Sequence, residues 1–198
     1  MTQRQWYNIL YCITRPFIGL FYPMKFYGKE NIPEGGALLC ANHSAAIDPF
    51  FVAFALGRKH HISPMAKESL LNTFFIGKII KLIGGFGVKR GASDLAAYKY
   101  AVTCLKEGKY VLIFPEGTRI SCRSEGEPKT GAAMMAVQAK ATVVPIYVPF
   151  KKRPFRINRV YIGKPYRMEP EGKRVKKEEF ERFTNDLMDR IYDCGDGK

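Results

Sequence analysis

Apolar residues alternate along this chain between short continuous runs and stripes of helical spacing. Residues 37–41 (Ala-Leu-Leu-Cys-Ala) form an unbroken apolar run after Pro33-Glu34-Gly35-Gly36, a pattern that predicts a buried strand. Runs at 110–114 and 142–148 predict two more strands, and 156–162 reads as another. Between them the period lengthens. Ser44 is placed to N-cap a helix over 45–56, and residues 69–83 form a strongly apolar helix with Lys78 and Lys81 on one side. Gly84-Gly85-Phe86-Gly87-Val88 reads as a turn into a short strand, and further helices are expected over 93–107 and 131–140. The last helix, 176–192, places Phe180, Phe183, Leu187 and Ile191 on one face. Strands alternating with helices predict an α/β fold: a single domain with a mixed, mostly parallel sheet flanked by helices.

The first 27 residues read differently. Trp6, Ile9, Leu10 and Ile13 fall at helical spacing between Arg4 and Arg15, Pro16 predicts a break, and a second apolar segment runs from Phe17 to Pro23. The expectation is an N-terminal helical pair, residues 1–27, attached to a domain of residues 28–198. Periodicity alone divides evenly between an interfacial membrane anchor and a helix capping the protein's own core.

Charge tips that balance. In 198 residues, 32 Lys and Arg against 18 Asp and Glu leave a net charge of +14, which calls for an anionic partner: nucleic acid, acidic lipid or a phosphorylated substrate. A cation near an anionic leaflet contributes about 1 kcal/mol, so the anchor reading gains. Apolar residues at 46% suffice for a core and exclude global disorder. Five scattered cysteines without a C-x-x-C pair argue against a disulfide framework or structural zinc and favour a reducing cytoplasm. No signal-peptide pattern and no apolar run of transmembrane length is expected.

Chemistry concentrates after two of the predicted strands. His43 follows the run at 37–41, in the position where α/β folds place ligand-binding loops, and Asp48 lies five residues on. A carboxylate that meets such a histidine fixes its tautomer and stabilises its protonated form, which makes a general base for a hydroxyl. Taken alone, Asp48 as a helix cap is the plainer account. Phe114-Pro115-Glu116-Gly117-Thr118-Arg119 leaves a second strand: Gly117 allows close backbone approach, and Arg119 offers a fork suited to phosphate. Lys89-Arg90 before Gly91, and Lys129 before Gly131, add cations at glycine turns. His60 and His61 read as a solvated basic corner. Nucleophile-elbow, Walker, dinucleotide-binding and H-E-x-x-H motifs are all absent, and a histidine base without a nucleophile requires a donor already activated, such as a thioester.

Asn42-His43-Ser44-Ala45-Ala46-Ile47-Asp48 resembles the N-H-x4-D signature of the glycerolipid acyltransferases, specifically the lysophosphatidic acid acyltransferase family. Residues 114–119 resemble that family's F-P-E-G-T-R block, and Gly87-Val88-Lys89-Arg90, Lys129-Thr130-Gly131 and Val143-Val144-Pro145-Ile146 are similar to its other landmarks. The resemblance implies acyl transfer from acyl-CoA or acyl-carrier protein, as co-substrate, to the 2-hydroxyl of a lysophosphatidic acid, forming phosphatidic acid in phospholipid biosynthesis. His43 would be the base and Asp48 its orienter. Arg119, Arg90 and Lys129 would hold the acceptor phosphate in a pocket shaped by Glu116 and Gly117, with Asn42, Thr118, Gly131 and Pro145 as further motif positions. No metal or cofactor is implied. The family's helical pair lies in the bilayer surface, which implies a peripheral protein on the cytoplasmic face of the cell membrane, with an anionic membrane surface as partner. Ile120 departs from the serine that many members carry. Backbone amides at the start of the helix after His43 are the expected oxyanion donors. The alternatives are an acyltransferase for another lysophospholipid or lyso-aminolipid, or a catalytically silent membrane-binding module. Nucleic-acid binding is not expected, and Lys151-Lys152-Arg153 and 173–177 read as leaflet-facing or solvated runs.

Overall fold

The computed structural model describes residues 1–89, 94–172 and 175–196. Its strands are β1 (Met24–Tyr27), β2 (Leu38–Ala41), β3 (Ile62–Lys67), β4 (Phe86–Val88), β5 (Tyr110–Ile113), β6 (Val143–Tyr147) and β7 (Asn158–Ile162). They form one sheet in the order β1-β7-β6-β2-β5-β3-β4. Every neighbouring pair is parallel except β6 and β7. The mostly parallel α/β architecture expected from the alternation is the one observed.

Its helices are α1 (Gln3–Phe21), α2 (Asp48–Leu56), α3 (Glu68–Leu71), α4 (Phe74–Leu82), α5 (Leu95–Lys106), α6 (Gly131–Ala139) and α7 (Lys177–Asp196). Side chains of a strand point alternately to the two faces of a sheet, and both faces here are covered. Leu38 and Cys40 of β2 pack with Ala101, Ala132, Ala136, Leu187 and Ile191 of α5, α6 and α7. Leu39 and Ala41 pack on the opposite layer with Tyr7 of α1 and with Phe51, Val52 and Ala55 of α2. That two-sided burial is why β2 reads as a continuous apolar run instead of an alternating one.

The N-terminal pair is one helix. A capping box opens α1, in which Thr2 Oγ1 accepts the Gln5 N–H at 3.3 Å and Gln5 Oε1 accepts the Thr2 N–H at 2.8 Å. The helix then continues through Pro16 to Phe21. Packing on both sides of the proline overrides its breaking tendency. Tyr7 packs against His61 with the two rings tilted, Tyr11 meets Phe54 edge-on, and Arg15 lies over the rings of Phe26 and Phe54. Beyond the helix, Tyr22 meets Phe51. Residues 24–27, read with the N-terminal segment, are β1, the edge strand of the sheet.

Three further expectations change, and two strands appear that were not expected. The helix over 69–83 is two helices, α3 and α4, because Thr73 Oγ1 accepts the Gly77 N–H at 3.2 Å and starts a new helix. Gly77 permits the fold-back, since a Cβ there would sit 2.1 Å from the Leu71 carbonyl oxygen. Strands β1 and β3 carry no apolar run to announce them, and β3 holds Pro64. Helix α2 begins at Asp48, so Ser44 is not its cap. The two adjacent histidines are not a solvated corner. His60 Nδ1 donates to the Leu56 carbonyl and His61 Nε2 to that of Ile83, each at 2.7 Å, and burial pushes the His61 imidazole below its usual range.

Candidate active site

Strands β2, β5 and β6 run in the same direction, so the loops that follow them, starting at residues 42, 114 and 148, leave from one edge of the sheet. Hydrogen bonds clamp these loops together. The buried Asn42 side chain donates Nδ2–H to the Val148 carbonyl and accepts the Val148 N–H, both at 2.8 Å. The His43 N–H donates to Glu116 Oε2 at 2.7 Å, and the His43 carbonyl accepts the Ile120 N–H at 2.9 Å. Ser44 Oγ donates to the Phe150 carbonyl at 3.1 Å. His43 is thus fixed by its backbone before its ring makes any contact.

The ring is fixed as firmly. His43 Nδ1 lies 2.9 Å from Asp48 Oδ2, and the imidazole stacks on Phe114 with ring centres 4.1 Å apart. Asp48 is fully buried, and Oδ2 also accepts the N–H groups of Ser44 at 2.7 Å and Ala45 at 2.8 Å. Its other oxygen, Oδ1, is ion-paired with Lys152 Nζ, which also donates to Ser44 Oγ. Burial pushes the Asp48 carboxyl up, but the His43 hydrogen bond, the Lys152 charge and the Ala45 N–H outweigh it and hold the group below the ordinary aspartate range. An ionised Asp48 accepts a hydrogen bond from Nδ1–H, the tautomer that leaves the lone pair on Nε2. The His43 side chain is 12% exposed, and Nε2 has no hydrogen-bond partner among the described residues.

Lys152, hidden in a run of cations, is one of two site residues the sequence reading missed. Its side chain is only 6% exposed. Burial pushes its ammonium below the usual lysine range, against the pull of Asp48 and Glu116. Tyr192 of α7 is a second such residue, with its hydroxyl donating to Glu116 Oε1 at 2.6 Å. Glu116 therefore spends both oxygens on protein donors, His43 N–H and Tyr192 O–H. Burial nonetheless raises its carboxyl above the usual range. It builds the pocket by tying loops together and is not directed at a ligand.

The remaining motif residues divide in the same way. Gly117 has φ +67, a left-handed turn that favours glycine, and the Lys129 stem passes 3.8 Å from where its Cβ would be. Arg119 and Thr118 are exposed, and Arg119 has no carboxylate partner among the described residues. Lys129 is exposed and lies 3.6 Å from Glu127, which is more exposed still. Gly131 opens α6, and Pro145 is buried inside β6 beside Cys40. Ile120 is buried, so its departure from serine serves packing. Arg90 and residues 173–174 lie outside the described residues; Lys89, at the end of β4, donates its N–H to Asp94 Oδ2 at 2.9 Å. Asp48 consumes the amides of Ser44 and Ala45, so the expected oxyanion donors narrow to Ala46 and Ile47. No group of three or more His, Cys, Asp or Glu side chains able to hold a metal ion occurs among the described residues.

A histidine oriented by a buried aspartate thus stands at the carboxyl edge of a mostly parallel α/β sheet, beside exposed cations. The model of the acyltransferase family matches residues 23–149, and the chain belongs to that family. A 1-acyl-sn-glycerol-3-phosphate acyltransferase of Pseudomonas aeruginosa is 33% identical over 184 residues, covering 87% of this chain and 69% of the relative. One of Bacillus subtilis is 32% identical over 178 residues, covering 85% and 86%. The crystal structure of the 1-acyl-sn-glycerophosphate acyltransferase PlsC from Thermotoga maritima shares the fold, with a TM-score of 0.68 at 20% identity over 98% of this chain and 81% of that one. The family and the enzyme class read from the motifs are those found.

Proposed function

We propose that this chain transfers a fatty acyl group from an acyl thioester to the 2-hydroxyl of 1-acylglycerol 3-phosphate and so forms phosphatidic acid for phospholipid biosynthesis. The observation that carries the reading is the His43 ring, held through Nδ1 by a buried, ionised Asp48 and open at Nε2. Nε2 takes the proton of the acceptor hydroxyl as its oxygen attacks the thioester carbonyl. The tetrahedral oxyanion collapses, the carbon–sulfur bond breaks, and the imidazolium returns its proton to the leaving thiolate. Such a base contributes about 10²–10⁴-fold in rate. A thioester is already activated, so neither a covalent enzyme intermediate nor a resident cofactor is needed. Acyl-CoA and acyl-carrier protein present the same reacting bond. The names of the relatives from Pseudomonas aeruginosa and Bacillus subtilis support the choice of acceptor.

Labelled 1-acylglycerol 3-phosphate, offered with each donor in turn, tests the reaction: the expected product is phosphatidic acid. No product with either donor, alongside acylation of a different lysophospholipid, would move the acceptor assignment. Arg119→Ala is expected to raise the KM for the acceptor about ten- to a hundredfold, the usual worth of a charge-assisted bond to phosphate. Because Arg119 is exposed, the fold should be unaffected. Measured acceptor KM values decide it, and an unchanged value would place the phosphate elsewhere.

The proposal extends to the membrane. A helix that only capped its own core would bury its most apolar residues. In α1 the inward positions are Tyr7, Tyr11 and Arg15, while Ile13, Phe17 and Leu20 are about two-thirds exposed. No described helix is long and apolar enough to cross a membrane. With a net charge of +14, α1 lying in an anionic surface makes this a peripheral protein, placed on the cytoplasmic face. A lipid acceptor is then met where it resides.

A further inference from the structure

We infer that the loop joining β6 to β7 is a second membrane-contacting element, which together with the outer face of α1 sets the active-site edge of the sheet against an anionic bilayer. The inference rests on the membrane reading of α1 and names a surface that reading does not include.

The loop is built to a fixed shape. The buried Asn158 side chain donates to the carbonyls of Arg156 at 2.8 Å, Arg153 at 3.0 Å and Pro23 at 3.3 Å, and accepts the Arg153 N–H at 2.9 Å. At the apex Phe155 has φ +57, a left-handed conformation that an aromatic residue rarely adopts. Its N–H donates to the Phe21 carbonyl at 2.7 Å, which ties the apex to the end of α1. This strained geometry does not bury the ring: Phe155 is 70% exposed and Ile157 56%. Strain held in place by an over-determined surround is a mark of function.

The exposed rings are continuous. Phe155 lies 5.8 Å from Phe21, which lies 5.5 Å from Phe17, so the loop and α1 present a single apolar strip. Lys151, Arg153 and Arg156 flank it, all exposed and none paired with a carboxylate among the described residues. Exposed aromatic rings bordered by unpaired cations match the chemistry of an anionic lipid interface, where rings sit at headgroup depth and cations meet phosphate. The same loop carries Lys152 inward to Asp48. Phe155 is three positions beyond Lys152 along the chain, a reach of about 11 Å at most. Docking the loop therefore brings the bilayer surface to the edge at which His43 opens.

The test is co-sedimentation of the full chain with vesicles of phosphatidylcholine mixed with phosphatidylglycerol, compared with phosphatidylcholine alone. Phe155→Ser combined with Ile157→Ser is expected to lower the partition coefficient on the mixed vesicles about tenfold. Activity on acceptor dispersed in detergent should stay at the wild-type level. Phe155→Gly separates the ring from the fold, since glycine accepts the left-handed conformation; it should melt no lower than wild type and still bind vesicles more weakly. Wild-type sedimentation with the mixed vesicles, undiminished in both variants, would overturn the loop inference alone and leave the strip to a protein partner. Failure of the wild type itself to sediment would overturn the membrane reading of α1 and this inference with it.

Discussion

Replacing His43 with alanine should reduce acyl transfer by at least about 10²–10⁴-fold while leaving the fold intact. Its ring contributes little to the core, touching Phe114 on one face and Asp48 through Nδ1. The clamps around it are made by its backbone N–H and carbonyl, which alanine retains. His60 and His61 cannot substitute: they precede β3 and so lie at the edge of the parallel strands opposite the one that His43 follows, and each has a ring nitrogen bonded to a carbonyl, that of Leu56 or Ile83. The measurement is single-turnover transfer with a melting curve on the same preparation. Near-normal transfer by a folded variant would remove the base from the mechanism.

The second large effect is expected from Lys152→Met, and it should appear in both stability and catalysis. Lys152 and Asp48 are an ion pair with almost no solvent access, and removal of one partner from such a pair costs about 3–5 kcal/mol. The lower end applies, because Asp48 Oδ2 keeps three donors in His43, Ser44 and Ala45. Asp48 is depressed in the fold, so the contribution of its ionised form is complete above the ordinary aspartate range near pH ~4 and is lost as pH falls through the lower native value. Stabilities of wild type and variant should therefore converge in acid. In catalysis, Asp48 without Lys152 would hold the His43 ring less firmly, so kcat should fall by up to about 10²-fold while the acceptor KM stays unchanged. Chemical denaturation across pH, together with steady-state kinetics, tests both parts. A variant within about 1 kcal/mol of wild type and with an unchanged kcat would make Lys152 a bystander.

How much of this was legible in the sequence depends on whether the governing contact was local. Strands β2, β5 and β6 are buried on both faces, so each shows as an apolar run, and the loops that leave them carry the motifs. His43 and Asp48 are five residues apart and their pairing could be read directly. Strand β1 is an edge, and β3 carries Pro64, so neither has a pattern that separates it from a loop. The continuity of α1 through Pro16 is decided by Tyr11, Arg15 and Tyr22 docking on distant rings, which no periodicity records. Lys152 was the hardest case. Between Lys151 and Arg153 it has the composition of a solvated run, and only the fold, which brings it to Asp48 across 104 positions, turns it inward.

The bond from Tyr192 to Glu116 sets the extent of the working unit. The family match ends at residue 149, yet Lys152 and Tyr192 both lie past that limit and both support the histidine. Tyr192 stands near the end of the last helix and holds the carboxylate that holds the backbone of His43. The signature blocks are therefore the visible part of a catalytic unit that is finished only when the final helix docks. A polypeptide emerging in order from the amino end would carry every recognisable motif before it could close its own active site.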